Sequence, residues 1–237
     1  MTSRLTAIVP ALDAETTVGP VARALLDVGV FAEVVVVDDG STDATGPAAR
    51  AAGATVLRHG RNRGKGAALR TGMIHAYARG ARAAVSVDAD GQHPAHEAAR
   101  IARSAAPPDA LVLGVRDLRA AGAPRANQWS NAFSDAWVSL FAGRPLADSQ
   151  CGLRRYPLPA TLGLGATGDG FEYESEVVLL AALGAVAIVE EPVAVWYPPP
   201  ERRRTHFRVA RDPARIVERL VSTFLEARLG RRTGAPR

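Results

Sequence analysis

Val34-Val35-Val36-Val37-Asp38-Asp39-Gly40-Ser41-Thr42-Asp43 reads as a strand that stops abruptly in a polar turn. Four β-branched residues in succession leave no polar face, so the strand is covered on both sides, as strands of a parallel sheet are. Upstream, Leu5-Thr6-Ala7-Ile8-Val9-Pro10 has the same character, and Val18 to Val28 carries helical spacing between the two. Downstream, Ala44 to Ala52 reads as a helix with Thr42 or Asp43 as its cap. Thr55 to Leu57 is a third strand, Gly64 to Arg79 a helix, Ala83 to Val87 a fourth strand, Ala95 to Ser104 a helix and Ala110 to Gly114 a fifth strand. This alternation predicts an α/β fold with a doubly wound, mostly parallel sheet flanked by helices. Ligands in such sheets sit beyond the carboxyl ends of the strands, where the acidic clusters fall.

The second half is less regular. Asn127 to Ala142 reads as an amphipathic helix whose stripe of Trp129, Phe133, Trp137 and Phe141 is expected in the core. Phe171 to Leu183 reads as a helix, and Val186 to Val195 as a strand broken by Pro192. Tyr197-Pro198-Pro199-Pro200 ends regular structure before a final helix, Asp212 to Leu229. That helix lines up Ile216, Val217, Leu220, Val221, Phe224, Leu225 and Leu229, bordered by Arg215, Arg219 and Arg228. The stripe either packs on the domain or lies in an anionic membrane surface. The expected organisation is one domain, 1–210, with a nucleotide-binding half (1–115) and an acceptor half (116–210). A basic amphipathic helix and tail, 211–237, follow.

The chain has 237 residues, 47% hydrophobic and 22% charged, which suits a globular protein rather than a disordered one. A single cysteine, Cys151, excludes a disulfide framework and a cysteine-only metal cluster. No apolar run of about 18 residues predicts a transmembrane helix, and no signal-peptide layout is present. The expected location is cytoplasmic, peripheral to the membrane's inner face if the last helix binds lipid. Net charge is +5, unevenly spread. From Arg202 onward eleven arginines face Asp212, Glu218 and Glu226, a balance of +8, whereas residues 1–201 hold 18 basic and 21 acidic side chains. A basic tail on an acidic body implies an anionic partner. Nucleic acid is disfavoured, because with Phe224 in the apolar stripe of the last helix only Phe207 is interleaved with those arginines for base stacking.

Three clusters carry chemistry. Asp88 and Asp90 lie two apart at the end of a buried strand, so both carboxylates can face one way. They would repel unless a cation sat between them, and Mg2+ or Mn2+ with a diphosphate is the natural occupant. Gln92 and His93 follow closely. Asp38 and Asp39 are placed to accept hydrogen bonds from a base or a ribose. Arg61-Asn62-Arg63-Gly64-Lys65-Gly66 opens a helix, where free N–H groups and glycines suit phosphate, although the Walker spacing is absent.

In this order the clusters resemble the family 2 glycosyltransferases of GT-A fold. The likeness is greatest to the branch with dolichyl-phosphate mannose synthase and other polyprenyl-phosphate glycosyltransferases. It is carried by Ile8 to Leu12, Val36 to Asp43, Asn62 to Ala68, Asp88 to Pro94, Asp148 to Arg154, Phe171 to Glu174 and Glu191 to Val193, and spans residues 5 to 210. The resemblance implies that Pro10, Ala11, Asp13, Glu15, Asp38 and Asp39 line the nucleotide pocket, joined by Gly64 and Lys65. Asp88, Asp90 and Gln92 would hold the metal and sugar diphosphate. Arg154 would lie near the sugar or phosphates, and Glu172 and Glu174 would face the acceptor. Asp13 stands where the family often has Asn.

The implied reaction is transfer of a hexose, such as mannose or glucose, from a nucleoside-diphosphate sugar to a polyprenyl phosphate with inversion. A dianionic phosphate needs no general base. A hydroxyl acceptor would need one, and Glu172 or Glu174 is then the candidate. Arg202, Arg203, Arg204, His206 and Arg208 are the expected acceptor-phosphate site. The alternatives are a glycan or soluble hydroxyl acceptor, and a non-catalytic relative that binds sugar nucleotides.

Overall fold

A computed structural model describes residues 5–184, 186–197 and 212–229. Seven strands form one sheet in the order β3-β2-β1-β4-β6-β5-β7. They are β1 (Leu5–Ala11), β2 (Glu33–Asp38), β3 (Thr55–Arg58), β4 (Ala83–Ser86), β5 (Leu111–Arg116), β6 (Arg154–Pro157) and β7 (Ile188–Val193). Only β6 runs antiparallel to its neighbours. The helices are α1 (Val18–Asp27), α2 (Thr45–Ala51), α3 (Lys65–Ala78), α4 (Ala95–Ala102), α5 (Arg125–Ala142), α6 (Leu158–Gly163), α7 (Glu172–Leu183) and α8 (Asp212–Arg228). The predicted α/β class and mostly parallel sheet are what the structure shows.

The β-branched run of β2 divides between two cores. Val34 and Val36 pack with α1, α2 and α4 on one face, while Val35 and Val37 pack with α3, α7 and α8 on the other. A period of two turns consecutive valines to opposite faces, which is why the strand shows no alternation.

Several elements depart from the sequence reading. Arg154-Arg155-Tyr156-Pro157 does not read as a strand, yet β6 is buried inside the sheet between β4 and β5. Arg154 donates to the carbonyls of Ser149, Cys151 and Glu174, and Arg155 to those of Ser104, Ala106 and Pro107. Carbonyls thus satisfy the Arg154 guanidinium and both terminal nitrogens of Arg155, whose buried Nε has no partner among the described residues. Pro192 does not break β7, because β7 is the sheet edge and a missing N–H is tolerated there.

The aromatic stripe is not all core. Trp129 is 77% exposed and Phe133 50%, and only Trp137 and Phe141 pack against the core. Helix α8 meets the domain through Ile216, Leu220 and Phe224, whose ring lies 5.2 Å from Phe141, while Val221, Leu225 and Leu229 face outward. The proline run, Arg202, Arg203, Arg204, His206 and Arg208 lie outside the described residues.

Candidate active site

Strands β1 and β4 are neighbours, and the chain leaves them toward opposite edges of the sheet. A crevice opens at such a switch point, beyond the carboxyl ends of the strands. The polar segments after β1, β2 and β4 meet there.

One wall is built from the loops after β1 and β2. Asp13, with φ of 45°, accepts the Thr42 N–H at 2.8 Å and donates its own N–H to Ser41 Oγ at 3.0 Å. Glu15 donates its N–H to Asp43 and accepts that of Ala44 at 3.1 Å. Asp43, rather than Thr42, accepts the Thr45 N–H at the start of α2. Asp38 is fully buried and pairs with Arg58 at 2.8 Å while accepting the Ser41 N–H. Asp39 accepts the N–H groups of Arg63 at 3.0 Å and Gly64 at 2.7 Å, and lies 2.6 Å from His59 Nδ1. The structure therefore brings Pro10, Ala11, Asp13, Glu15, Asp38, Asp39 and Gly64 to one wall. Most of their polar groups brace the wall itself. Gly64 has φ of 103°, and a Cβ there would overlap the Asp169 carbonyl, so the close approach it permits is to the chain before α7.

The opposite wall carries charge. Lys65 opens α3, and its Nζ lies 2.7 Å from Asp88 Oδ1 and 2.8 Å from Glu174 Oε2. Gly152 backs Asp88 so closely that a Cβ at 152 would overlap the carboxylate. Asp90 Oδ1 accepts the Gln92 N–H at 2.9 Å. Burial alone would raise Asp88, but the Lys65 ammonium outweighs it and holds the carboxyl below the usual range. Asp90 has no such partner; burial first, and Asp88 beside it second, push it up to about 6. His93 is buried against Cys151, and burial pushes its imidazole down to about 4.

Asp88 and Asp90 form a donor set of two carboxylates, the first paired with Lys65 and the second without a cationic side chain in contact among the described residues. Among the described residues no group of three His, Cys, Asp or Glu side chains gathers to complete a metal shell. Two carboxylates are a hard-oxygen donor set that fits Mg2+ or Mn2+ completed by substrate phosphates and water, and does not fit an all-protein cage.

The raised Asp90 also makes a stability prediction. Its proton is held more tightly folded than unfolded, so its contribution is present below about pH 4 and lost as pH rises through about 6. In metal-free buffer Asp90→Asn should melt higher than wild type above pH 6, and the advantage should vanish near pH 4. Equal melting temperatures at both pH values would exclude the raised Asp90 carboxyl.

The remaining candidates have specific surroundings. Arg154 is fully buried, with its donors on three carbonyls and its Nε 3.7 Å from Glu174. Glu172 is buried, accepts the Gly170 N–H at 3.0 Å and lies 3.8 Å from Arg215. The Gln92 carbonyl accepts the Trp196 N–H, which ties the acidic turn to the chain after β7. Arg116 escaped the sequence reading. It ends β5 and holds Asp148 through Nε at 2.7 Å and Nη2 at 2.9 Å, and its charge reaches Asp88 and Asp90. The available signal was the one that found Asp38 and Asp88: a charged residue closing an apolar strand.

Comparison with known proteins gives the chain a family and a fold. The model of glycosyl transferase family 2 matches residues 6–150. Glycosyltransferase AglJ of Haloferax volcanii is 28% identical over 207 residues, which cover 86% of this chain and 67% of that one. The UDP-N-acetylglucosamine–dolichyl-phosphate N-acetylglucosaminyltransferase of Methanococcus voltae is 30% identical over 147 residues, 60% of this chain and 59% of that one. Glucosyl-3-phosphoglycerate synthase of Mycobacterium tuberculosis, solved with Mn2+, UDP and phosphoglyceric acid, superposes with a TM-score of 0.70. It shares 18% identity over 94% of this chain and 79% of its own. At that identity the likeness is one of fold.

Proposed function

The chain belongs to glycosyl transferase family 2, and from that premise we propose that it is an inverting glycosyltransferase of the polyprenyl-phosphate branch. It takes a hexose from a nucleoside-diphosphate sugar and passes it to a lipid phosphate. The wall from Pro10 to Glu15, with Asp38 and Asp39, receives the nucleoside. Asp88 and Asp90, with Gln92 beside them, would hold Mg2+ or Mn2+, which when bound supplies Lewis-acid stabilisation of the charge growing on the diphosphate. Arg116, held by Asp148, adds fixed positive charge to that side of the crevice, and Lys65 adds an ammonium on a flexible stem. Attack from the opposite face of the sugar inverts its anomeric carbon.

The surroundings of the two acids support a phosphate acceptor. Glu174 is ion-paired with Lys65 through Oε2 and Glu172 accepts a backbone N–H through Oε1, contacts that favour the charged, structural state of each acid over a general base. A phosphate acceptor needs none, being largely dianionic near neutral pH with a second pKa of about 6. The residue division at 115, the acceptor site at Arg202 to Arg208 and the cytoplasmic-face location belong to this proposal.

One observation carries the lipid. Helix α5 is apolar on two sides: Val138 is buried and Trp137 and Phe141 pack on the core, while Trp129, Phe133 and Leu140 face solvent, Leu140 being 68% exposed. The exposed outer ends of α8, Leu225 and Leu229, continue the apolar surface beside the Phe141–Phe224 contact. Arg119, Arg125, Arg144 and Arg228 are exposed on and near these helices. An apolar face with a cationic border suits an anionic bilayer. Among the described residues no helix is long and apolar enough to cross a membrane, so attachment would be peripheral.

Sedimentation with vesicles containing phosphatidylserine tests this. Burying each of Trp129 and Phe133 is worth roughly 1.5–3 kcal/mol, so Trp129→Glu with Phe133→Glu should weaken vesicle binding at least tenfold. Transfer to vesicle-borne polyprenyl phosphate should fall in parallel, and nucleotide affinity should not change. Wild-type protein that ignores vesicles, pairs into a dimer through Trp129, or glycosylates 3-phosphoglycerate in place of the lipid would overturn the lipid reading.

A further inference from the structure

Lys65 is the only lysine in a chain with 29 basic Lys and Arg side chains. It stands at the one position where an ammonium meets both an acid of the cation pair and an acid of α7, 2.7 Å from Asp88 and 2.8 Å from Glu174. Its stem runs beside Phe171, with Nζ 5.8 Å from the ring centroid, and its side chain is 14% exposed.

We propose that Lys65 is a resident counter-ion that occupies Asp88 until a diphosphate draws it off, so that divalent cation and sugar-nucleotide donor bind only together. The inference rests on the reading of Asp88 and Asp90 as the cation's ligands. Three features support it. A divalent cation reaching Asp88 alone would meet an ammonium already within hydrogen-bond distance of the same oxygen, and like charges in a partly buried site repel strongly. A diphosphate offers that ammonium a new anionic partner and frees the oxygen for the metal. The residue type fits as well. An ammonium is a compact charge on a flexible stem and can change partners, whereas a guanidinium's planar fork would lock onto the carboxylate in a bidentate pair, as Arg116 does with Asp148.

Coupling of this kind is reciprocal, so cation and nucleotide should raise each other's affinity by the same factor. Calorimetry on the purified protein measures it without turnover. Mn2+ is titrated alone and with saturating UDP, in parallel with GDP, into wild type, Lys65→Met and Lys65→Arg. In wild type, Mn2+ alone should bind at least tenfold more weakly than Mn2+ with nucleotide. Lys65→Met should bind Mn2+ alone at least tenfold more tightly than wild type, with the coupling factor reduced toward one. Lys65→Arg should keep the weak binding of Mn2+ alone and lose the rescue by nucleotide. Absent coupling in wild type overturns the inference, as does a Lys65→Met variant whose Mn2+ affinity and coupling match wild type. If no protein binds Mn2+ even with nucleotide, the cation reading itself fails, and the inference with it.

Discussion

Asp90→Ala should lower sugar transfer by about 10²–10³ at saturating donor while the protein remains folded, a loss typical of removing one preorganised electrostatic group. The fold does not depend on this side chain. Asp90 is partly exposed, its hydrogen bond to the Gln92 N–H is local, and its charge is unfavourable beside Asp88. A carboxylate kept where it is electrostatically uncomfortable serves something other than stability. Asp88→Ala should cost transfer as much, and should also leave Lys65 with Glu174 alone. Turnover with Mn2+ and saturating donor, read beside a thermal melt, makes the test. Either variant turning over at the wild-type rate would remove these residues from the reaction.

Arg154→Met should have the opposite signature: large destabilisation with the chemistry intact in whatever fraction folds. The guanidinium is fully buried and donates at 2.7 Å to Cys151, 2.8 Å to Glu174 and 2.7 Å to Ser149 carbonyls. Methionine matches much of the volume but leaves three buried carbonyls and the Glu174 carboxylate without that partner. Breaking a buried charged network in this way costs about 3–5 kcal/mol. For a chain of this size each kcal/mol lowers the melting temperature by about 2–4 °C, so the expected fall is roughly 6–20 °C. The resemblance to family 2 implies instead a side chain near the sugar or phosphates. On that view the variant would melt normally and lose donor affinity, and melting with nucleotide titration separates the two.

Much of the donor side was legible along the chain. Parallel strands buried on both faces are short, β-branched and continuous, and the polar residues that end them must lie at one edge of the sheet. Val34 to Asp39 and Ala83 to Asp90 therefore announced both the architecture and the place of the acids, before any contact was known. The resemblance ordered these pieces into a family, and the match over residues 6–150 agrees.

Partner choice and facing were decided only by the folded chain. Arg154 and Arg155 look like surface residues because charge predicts exposure; carbonyls from segments distant in sequence make an inner strand of them. Trp129 and Phe133 look like core because spacing reports which residues share a stripe, not which side of the helix the domain covers. Lys65 was visible as a charge near a helix start, but its position between Asp88 and Glu174 joins residues 23 and 109 positions away. Local periodicity is set by backbone geometry and can be read from neighbours in sequence. The pairing of a buried charge is set by which distant groups the fold delivers to it, and only tertiary structure holds that information.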